Sequence, residues 1–499
     1  MELYFLCDLR YVLMSTVAVL FTSCLVSVLG GRKRNYPPGP PVWPLLGSLP
    51  YLARLRLPHL QMLTKLPEDY GDIVYLRILG FDIVVLSEYS VIKEAFHRAD
   101  FSARPVPVYS TVAGRRNFGL VTSSGEVSRE QRQIAHSFFR TFGVGKTRFE
   151  EDIRAETSHL LEEFQRTEGK TFNPKQIVNN AVSNIICAVV FGSRHEYTDP
   201  DFNALQDAVN SNLKISKSGG LFFFLEKLAR IPRTPGYHIR QNVSSIIAQL
   251  RKFLADHRKD HIPNNPRDMI DMYIDKIAEN EKNGSSLSYD ETNLLFTLAD
   301  IFSGGTETTT TVLRWLLLFM VTNPEVQKKV QDEIDSVIGR ERQTTFADRP
   351  KLPYTEATIL EAQRASFPIP LGVPHRYTGK GMCKFHGYNI PEGALILANN
   401  WRVSRDPRLW TDPEEFKPER FLDVNGNCVK PDEMIPFSIG KRVCIGESLA
   451  KMELFIVFTS LMQRFSFQKP DGVSSYSTGG DLGAVFEPEP YTLCAMPRD

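Results

Sequence analysis

Residues 436–447 read PFSIGKRVCIGE, a lone cysteine, Cys444, set between Gly440 and Gly446 and behind Lys441 and Arg442. The run that follows, IGESLAKMELFIVFTSLMQRF, has helical apolar spacing, so the sulfur is expected at a helix N-terminus. That position and the neighbouring cations favour the thiolate, which is the form that ligates metal. Backbone N–H groups at the helix start would soften the sulfur's charge by hydrogen bonding. Gly440 and Gly446 carry no side chains, which would let the main chain lie flat against a broad planar ligand. The seven cysteines (Cys7, Cys24, Cys187, Cys383, Cys428, Cys444 and Cys494) form no CxxC pair, an odd set that fits a reducing compartment. One thiolate without neighbouring Cys or His ligands suits a macrocycle that supplies the remaining donors itself, namely haem. On these local cues alone, a buried structural thiol and a reactive nucleophile also stay open.

A second stretch with chemical character is DIFSGGTETTTTVLRW, Asp300 to Trp315. A glycine in a helix costs about 1 kcal/mol relative to alanine, and β-branched threonines add a smaller penalty. Local propensity therefore argues against a smooth helix, a conflict that often marks function. Missing side chains at Gly304 and Gly305 would open a groove; a kinked helix in a crowded core is the other reading. In ILEAQRASFP, Glu361 and Arg364 stand three apart on one helical face, a pair worth a few tenths of a kcal/mol if exposed.

Phe437, Gly440, Arg442, Cys444 and Gly446 match FxxGxRxCxG, and at this motif the sequence resembles the cytochrome P450 family, the haem-thiolate monooxygenases. In texture it is most similar to the microsomal type, family 2. The resemblance implies haem b, iron protoporphyrin, with Cys444 as metal ligand and Phe437, Gly440 and Gly446 about the cofactor. Gly304, Gly305, Glu307, Thr308 and Thr309 match the family's oxygen-binding helix. They imply Thr308 as a hydroxyl donor at the oxygen site and Glu307 as a group that resupplies protons. ExxR, with PERF at Pro418–Phe421, implies a buried Glu361, Arg364 and Arg420 network that locks the cysteine loop. Haem propionates need cationic partners, and the resemblance assigns Arg104, Arg132, His375 and Arg442 to them. One position departs: microsomal members usually carry tryptophan where this chain has Ser128, which removes one expected propionate contact.

The implied reaction inserts one oxygen atom of O2 into a lipophilic substrate (a fatty acid, steroid or xenobiotic), giving an alcohol or epoxide. No GxGxxG follows a strand, so electrons must come from outside. The resemblance names NADPH cytochrome P450 reductase as their source, with cytochrome b5 as helper. Arg129, Arg140, Lys146 and Lys441 could face an acidic donor, although each also reads as ordinary solvated charge. An isomerase or dehydratase that rearranges peroxides without reductase, or a non-enzymatic haem binder, would have little need of the GTETT string.

The elements that must position these residues follow from the rest of the chain. With 499 residues, 42% hydrophobic and 23% charged, it is ordinary globular material. A formal charge of +1 excludes nucleic acid as a partner suggested by charge. Tyr11–Leu29 is uncharged over 19 residues, enough for one spanning helix at 11–30, after a lumenal tail at 1–10. Arg32, Lys33 and Arg34 follow it, which puts everything downstream on the cytoplasmic side of a membrane, the endoplasmic reticulum for a microsomal enzyme. A cleaved secretory signal is the alternative, but its positive charge should precede a shorter apolar core. Residues 31–45 read as a basic, proline-rich linker, and residues 46–499 as one catalytic domain without internal repeats.

DIVYLRILGFDIVVLS predicts a hairpin about Gly80. NPEVQKKVQDEIDSVIG predicts a helix capped by Asn323, with Val326, Val330, Ile334, Val337 and Ile338 in one stripe and Gly339 at its end; Phe149–Gln165 repeats the pattern. The fold class is mainly α with small β-sheets, the family's fold, with haem between the oxygen-binding helix and the cysteine-loop helix. By position the substrate pocket draws on Val106–Phe118, Leu213–Phe224, Ser303–Gly304, Pro368–Val373 and Leu482–Phe486, which are largely apolar. The run LFFFL at 221–225 could meet lipid or sit in the core.

Overall fold

The computed structural model describes residues 35–57, 59–143, 147–216, 230–284 and 288–498, together with 15, 19 and 22. Apart from those three isolated positions, the expected anchor lies outside the described residues, as do Lys146 and the apolar run at 221–225. Among the described residues no helix is long and apolar enough to cross a membrane. The chain divides into two compact units: residues 1–105, 371–403 and 439–442 form the first, and residues 106–370, 404–438 and 443–499 the second.

The first unit is built on a four-stranded sheet. Ile73–Ile78 and Phe81–Leu86 form the predicted antiparallel hairpin, joined through Leu79 and Gly80, both at positive φ. Leu395–Ala398 adds in parallel to Phe81–Leu86, and His375–Arg376 adds antiparallel beyond it. Val84 and Ile396 are paired neighbours on one face and Val74 lies on the other, and all three are fully buried, so the sheet is covered on both faces. The proline-rich stretch lies along the sheet: Tyr75 N–H donates to Pro38 O at 2.9 Å, and Tyr36 packs on the Tyr75 ring.

In the second unit a 32-residue helix, Glu291–Thr322, runs through the core. Asp290 caps it by accepting from Asn293 N–H at 2.9 Å. The helix is apolar nearly all round and correspondingly buried, packing against Lys175–Phe191, Pro235–Asp260, Pro353–Ser366 and Glu447–Arg464. Its backbone stays helical across Gly304, Gly305 and the threonine run, so the expected break is absent. Leu294, Leu298, Phe302 and Leu316 are each fully buried, and each such side chain contributes about 1.5–3 kcal/mol. Packing on this scale exceeds the glycine penalty.

The helix predicted after Asn323 is present as Pro324–Val337, with two corrections. The Asn323 side chain makes no N-cap bond; its amide donates instead to Phe319 O at 2.9 Å, closing the preceding helix. Val337 is 37% exposed and falls outside the stripe that buries Val326, Val330, Ile334 and Ile338. The helix expected over Phe149–Gln165 spans Thr147–Gln165.

Glu361 and Arg364, both fully buried, form a bidentate pair at 2.7 and 2.8 Å. Arg364 also donates to Ser404 O and Pro413 O, and its guanidinium lies over the Trp410 ring. Arg420 Nε and Lys417 N–H both donate to Glu361 Oε1. These bonds gather the 404–420 segment, so the network acts one step upstream of the cysteine loop expected from the motif. From there an apolar cluster of Leu360, Trp410, Phe421 and Met434 leads to the loop's entrance at Pro436. Removing one partner of a buried ion pair strands the other, at a cost of about 3–5 kcal/mol. Glu361→Gln should therefore lower the urea midpoint by that equivalent, whereas a surface change such as Lys328→Gln should leave it within error.

Candidate functional site

The cysteine loop is closed at its base by a hydrogen bond from Cys444 N–H to Phe437 O at 2.8 Å. Gly446 is the N-cap of the helix Glu447–Arg464, and a side chain added there would meet no atom within 4 Å. Cys444 has an exposed surface, yet burial is the leading influence on its thiol and pushes the pKa up. Both hold for a sulfur that opens onto a recess in protein rather than onto bulk water. The direction corrects the expectation of a lowered pKa. Backbone N–H groups of Gly446 and Glu447 and the Arg132 guanidinium pull it back down, but do not offset the burial. Arg132 is itself pinned to the loop, donating from Nη2 to Val443 O at 2.8 Å. Ser128, one turn earlier on the same helix, is buried.

On the central helix, the two glycines play different parts. A Cβ at Gly304 would meet nothing within 4 Å, so the helix surface there is open, as expected. A Cβ at Gly305 would come within 2.6 Å of Ile186 Cδ1, so that glycine serves close helix packing and not a groove. Thr308 shares the open side with Gly304 and donates its hydroxyl to Gly304 O at 2.7 Å. Thr309, by contrast, is buried.

Glu307 is 5% exposed, and burial raises its carboxyl pKa to about 7, with Glu487 adding repulsion. Lys175 and Arg314 oppose that rise while pairing with Glu487 at 2.8 and 3.2 Å. The outcome is an acid poised near neutrality beside a hydroxyl.

In the first unit, His375 is 1% exposed, stacked on Phe96 with ring centroids 3.9 Å apart, and bonded through Nδ1 to Phe101 O at 2.8 Å. Burial lowers its pKa to about 2, helped by the guanidinium groups of Arg104 and Arg442. Arg104 donates to Val373 O and Pro374 O, and both arginines are buried. Three of the four expected propionate partners are thus brought together as a buried, positively charged group with a neutral histidine. Gly440, at φ +74°, has its α-carbon hard against the Phe96 carbonyl, so any side chain would collide with that backbone. Its constraint is contact within the protein as well as any ligand it faces.

Several residues went unread in the sequence. Asp300 accepts from Leu120 N–H and Val121 N–H at 2.8 Å, and Asn293 accepts from Gly119 N–H, tying the 118–121 segment to the central helix. Behind that segment, Phe118 packs edge-on against Phe296. Glu453, on the cysteine helix, is buried with both carboxylate oxygens lacking partners, and burial holds its carboxyl protonated. A lone acid inside an apolar helical stretch was the available signal for Glu453; nothing local marks Glu487 or Asn293. Arg129, Arg140 and Lys441 are exposed, as solvated charges would be.

The profile of the cytochrome P450 family matches residues 37–495. The chain is 39% identical over 507 residues to cytochrome P450 2U1 of Homo sapiens, covering 95% of this chain and 92% of that protein. It is 38% identical over 496 residues to cytochrome P450 2J5 of Mus musculus, and 38% over 493 residues to cytochrome P450 2J2 of Homo sapiens. In both cases 98% of this chain and 96% of the relative are covered.

The raised Glu307 pKa fixes a pH signature. An unfolded glutamate loses its proton near pH 4.5, while the folded one keeps it to about pH 7. Folding stability contributed by this group is full below pH 4.5 and lost as pH rises through 7. Glu307→Gln removes that loss, so melts at pH 5 and pH 8 should show the variant gaining on wild type as pH rises. An equal offset at both values would place the shift elsewhere.

Proposed function

Because the chain belongs to the cytochrome P450 family, as a haem-thiolate monooxygenase most similar to family 2 members, we propose that it oxygenates lipophilic substrates with electrons delivered from NADPH through a membrane-bound reductase. The observation that carries this reading is the pairing of an accessible Cys444, fed by helix N–H donors, with an open helix surface at Gly304 and Thr308. The residues fit haem on chemical grounds. Cys444 would offer a sulfur ligand and Gly446 would leave room for the ring, while Arg104 and Arg442 in the first unit and Arg132 in the second are cations of the kind its carboxylates need. His375, neutral at physiological pH, would act as a hydrogen-bond donor to a propionate rather than as a cation.

Bound haem supplies the activation of O2 and the oxidation itself. What the chain adds is positioning and proton control. Helix N–H groups at Gly446 and Glu447 would stabilise negative charge on the Cys444 sulfur once a metal has displaced its proton. The Thr308 hydroxyl, now donating to Gly304 O, can turn to donate at the open surface. Glu307 titrates near neutrality, so it can both release and recover a proton at working pH, a match worth roughly 10²–10⁴-fold to a proton-transfer step. Buried aromatic side chains flank this stretch, Phe118 and Phe296 toward the helix start and Phe486 against Trp315 toward its end, and favour an apolar ligand. Within this reading, residues 11–30 anchor the enzyme in the endoplasmic reticulum membrane, where lipid-soluble substrates concentrate.

Two measurements test it. Reduced, haem-loaded protein under carbon monoxide should give the Soret band of thiolate ligation, and Cys444→Ser should abolish it. With reductase, NADPH and a fatty-acid panel, oxygenated product should form; its absence across lipids, steroids and drug-like compounds would overturn the substrate assignment. Thr308→Ala should keep NADPH oxidation but cut product per NADPH about tenfold or more, with peroxide released instead.

A further inference from the structure

A cavity of about 440 Å³ opens in the second unit among the helices Thr147–Gln165 and Glu447–Arg464, the 340–344 connection and the C-terminal strand. None of its lining residues belongs to the central helix or the cysteine loop. Five arginines line it (Arg154, Arg340, Arg342, Arg464 and Arg498) against two carboxylates, Glu162 and Glu341.

Three of the five are committed to acids just outside: Arg340 and Arg498 share Asp335 at 2.8 and 2.7 Å, and Arg342 grips Asp348 at 2.7 Å. The other two are not. Arg154 gives one Nη to Gln343 Oε1 at 2.8 Å, while its buried Nε has no partner. Arg464 is exposed, and among the described residues its side chain has neither hydrogen bond nor ion pair. Beside them Thr344, 1% exposed, has a hydroxyl without a partner. A buried donor without a partner carries its desolvation cost, which an incoming acceptor would recover. Leu161, Ile456, Phe465 and Pro497 give the wall an apolar part, set among further serine, threonine and glutamine side chains.

We propose that this cavity binds an organic phosphate monoester, its phosphate oxygens accepting from Arg154, Arg464 and Thr344 and its carbon portion lying on the apolar wall. Arginine's planar fork matches phosphate oxygens, and a tetrahedral group can meet two guanidinium groups and a hydroxyl at once, which a planar carboxylate does less well. The other three arginines are largely neutralised by Asp335 and Asp348, and these ion pairs fix the shape of the cavity. The phosphate could arrive on a soluble metabolite or on a lipid headgroup, and the chemistry is shared.

Full-length haem-loaded protein titrated calorimetrically with phenyl phosphate should show saturable binding, tighter than inorganic phosphate at matched ionic strength. Arg464→Gln, which breaks no contact, and Thr344→Val, which keeps the shape, should each weaken it by about tenfold, with unchanged melting in buffer without phosphate. A second arm compares the protein reconstituted in phosphatidylcholine vesicles with and without phosphatidic acid. A rise in melting temperature with phosphatidic acid that Arg464→Gln removes would assign the lipid source; phenyl phosphate binding without that rise would assign the soluble one. No saturable phenyl phosphate binding together with no vesicle effect, or binding untouched by both variants, overturns the proposal. No turnover is read, so the outcome is independent of the monooxygenase reading.

Discussion

A thiol that is to hold iron must give up its proton, and burial opposes that. At Cys444 the opposition is visible: the protein raises the thiol's pKa by desolvation, and only the N–H groups of Gly446 and Glu447 and the Arg132 guanidinium act against it. A metal's positive charge is the influence large enough to reverse the balance. The surrounding structure can be read as keeping that position sound until the charge arrives. The loop is closed by the Cys444 to Phe437 bond, clamped by Arg132 on Val443 O, and backed upstream by the Glu361 and Arg364 pair through the 404–420 segment. Rigidity is purchased where ionisation alone would be unfavourable.

Opposite demands meet on the central helix. Gly304 and Thr308 leave its surface open, yet at Gly305 the helix Lys175–Phe191 comes close enough that a methyl group would force the Ile186 side chain to shift. Thr306, Thr310 and Thr311 are buried with hydroxyls that find no partner, so the threonine run costs stability twice, in propensity and in unmade hydrogen bonds. Fully buried Leu and Phe side chains on either side outweigh both costs. The helix is continuous across this stretch because its neighbours make it so.

Motif-bearing and strongly periodic stretches could be read from sequence because their physics is local. The Gly80 hairpin, the Thr147–Gln165 and Pro324–Val337 helices, and the cysteine at a helix start all depend on residues within a turn or two. Where the reading failed, the deciding partner was mostly distant in the chain. Asn323 was a local miss, drawn to Phe319 O four residues back by the helix before it, whereas Gly440 is constrained by the Phe96 carbonyl and Gly305 by Ile186. The sign of the Cys444 shift was missed for the same reason, since a sequence displays neighbouring charges but not the desolvation that outweighs them. Arg104, His375 and Arg442 could be named only through family resemblance, because nothing near any of them in the chain distinguishes it from a surface cation.

Three buried acids of the second unit differ in the cations around them. Among the described residues Glu453 has no partner, and burial pushes its carboxyl pKa well up. Glu361 is held in ion pairs with Arg364 and Arg420. Glu307 lies between these cases, because Lys175 and Arg314 are spent on Glu487 and reach it only at second hand. Burial is the main cause of the raised Glu307 pKa and Glu487 the second, so under the proposed proton role Glu307 would draw on the strand that carries Glu487 as well as on its own burial, a connection that sequence proximity gives no reason to make.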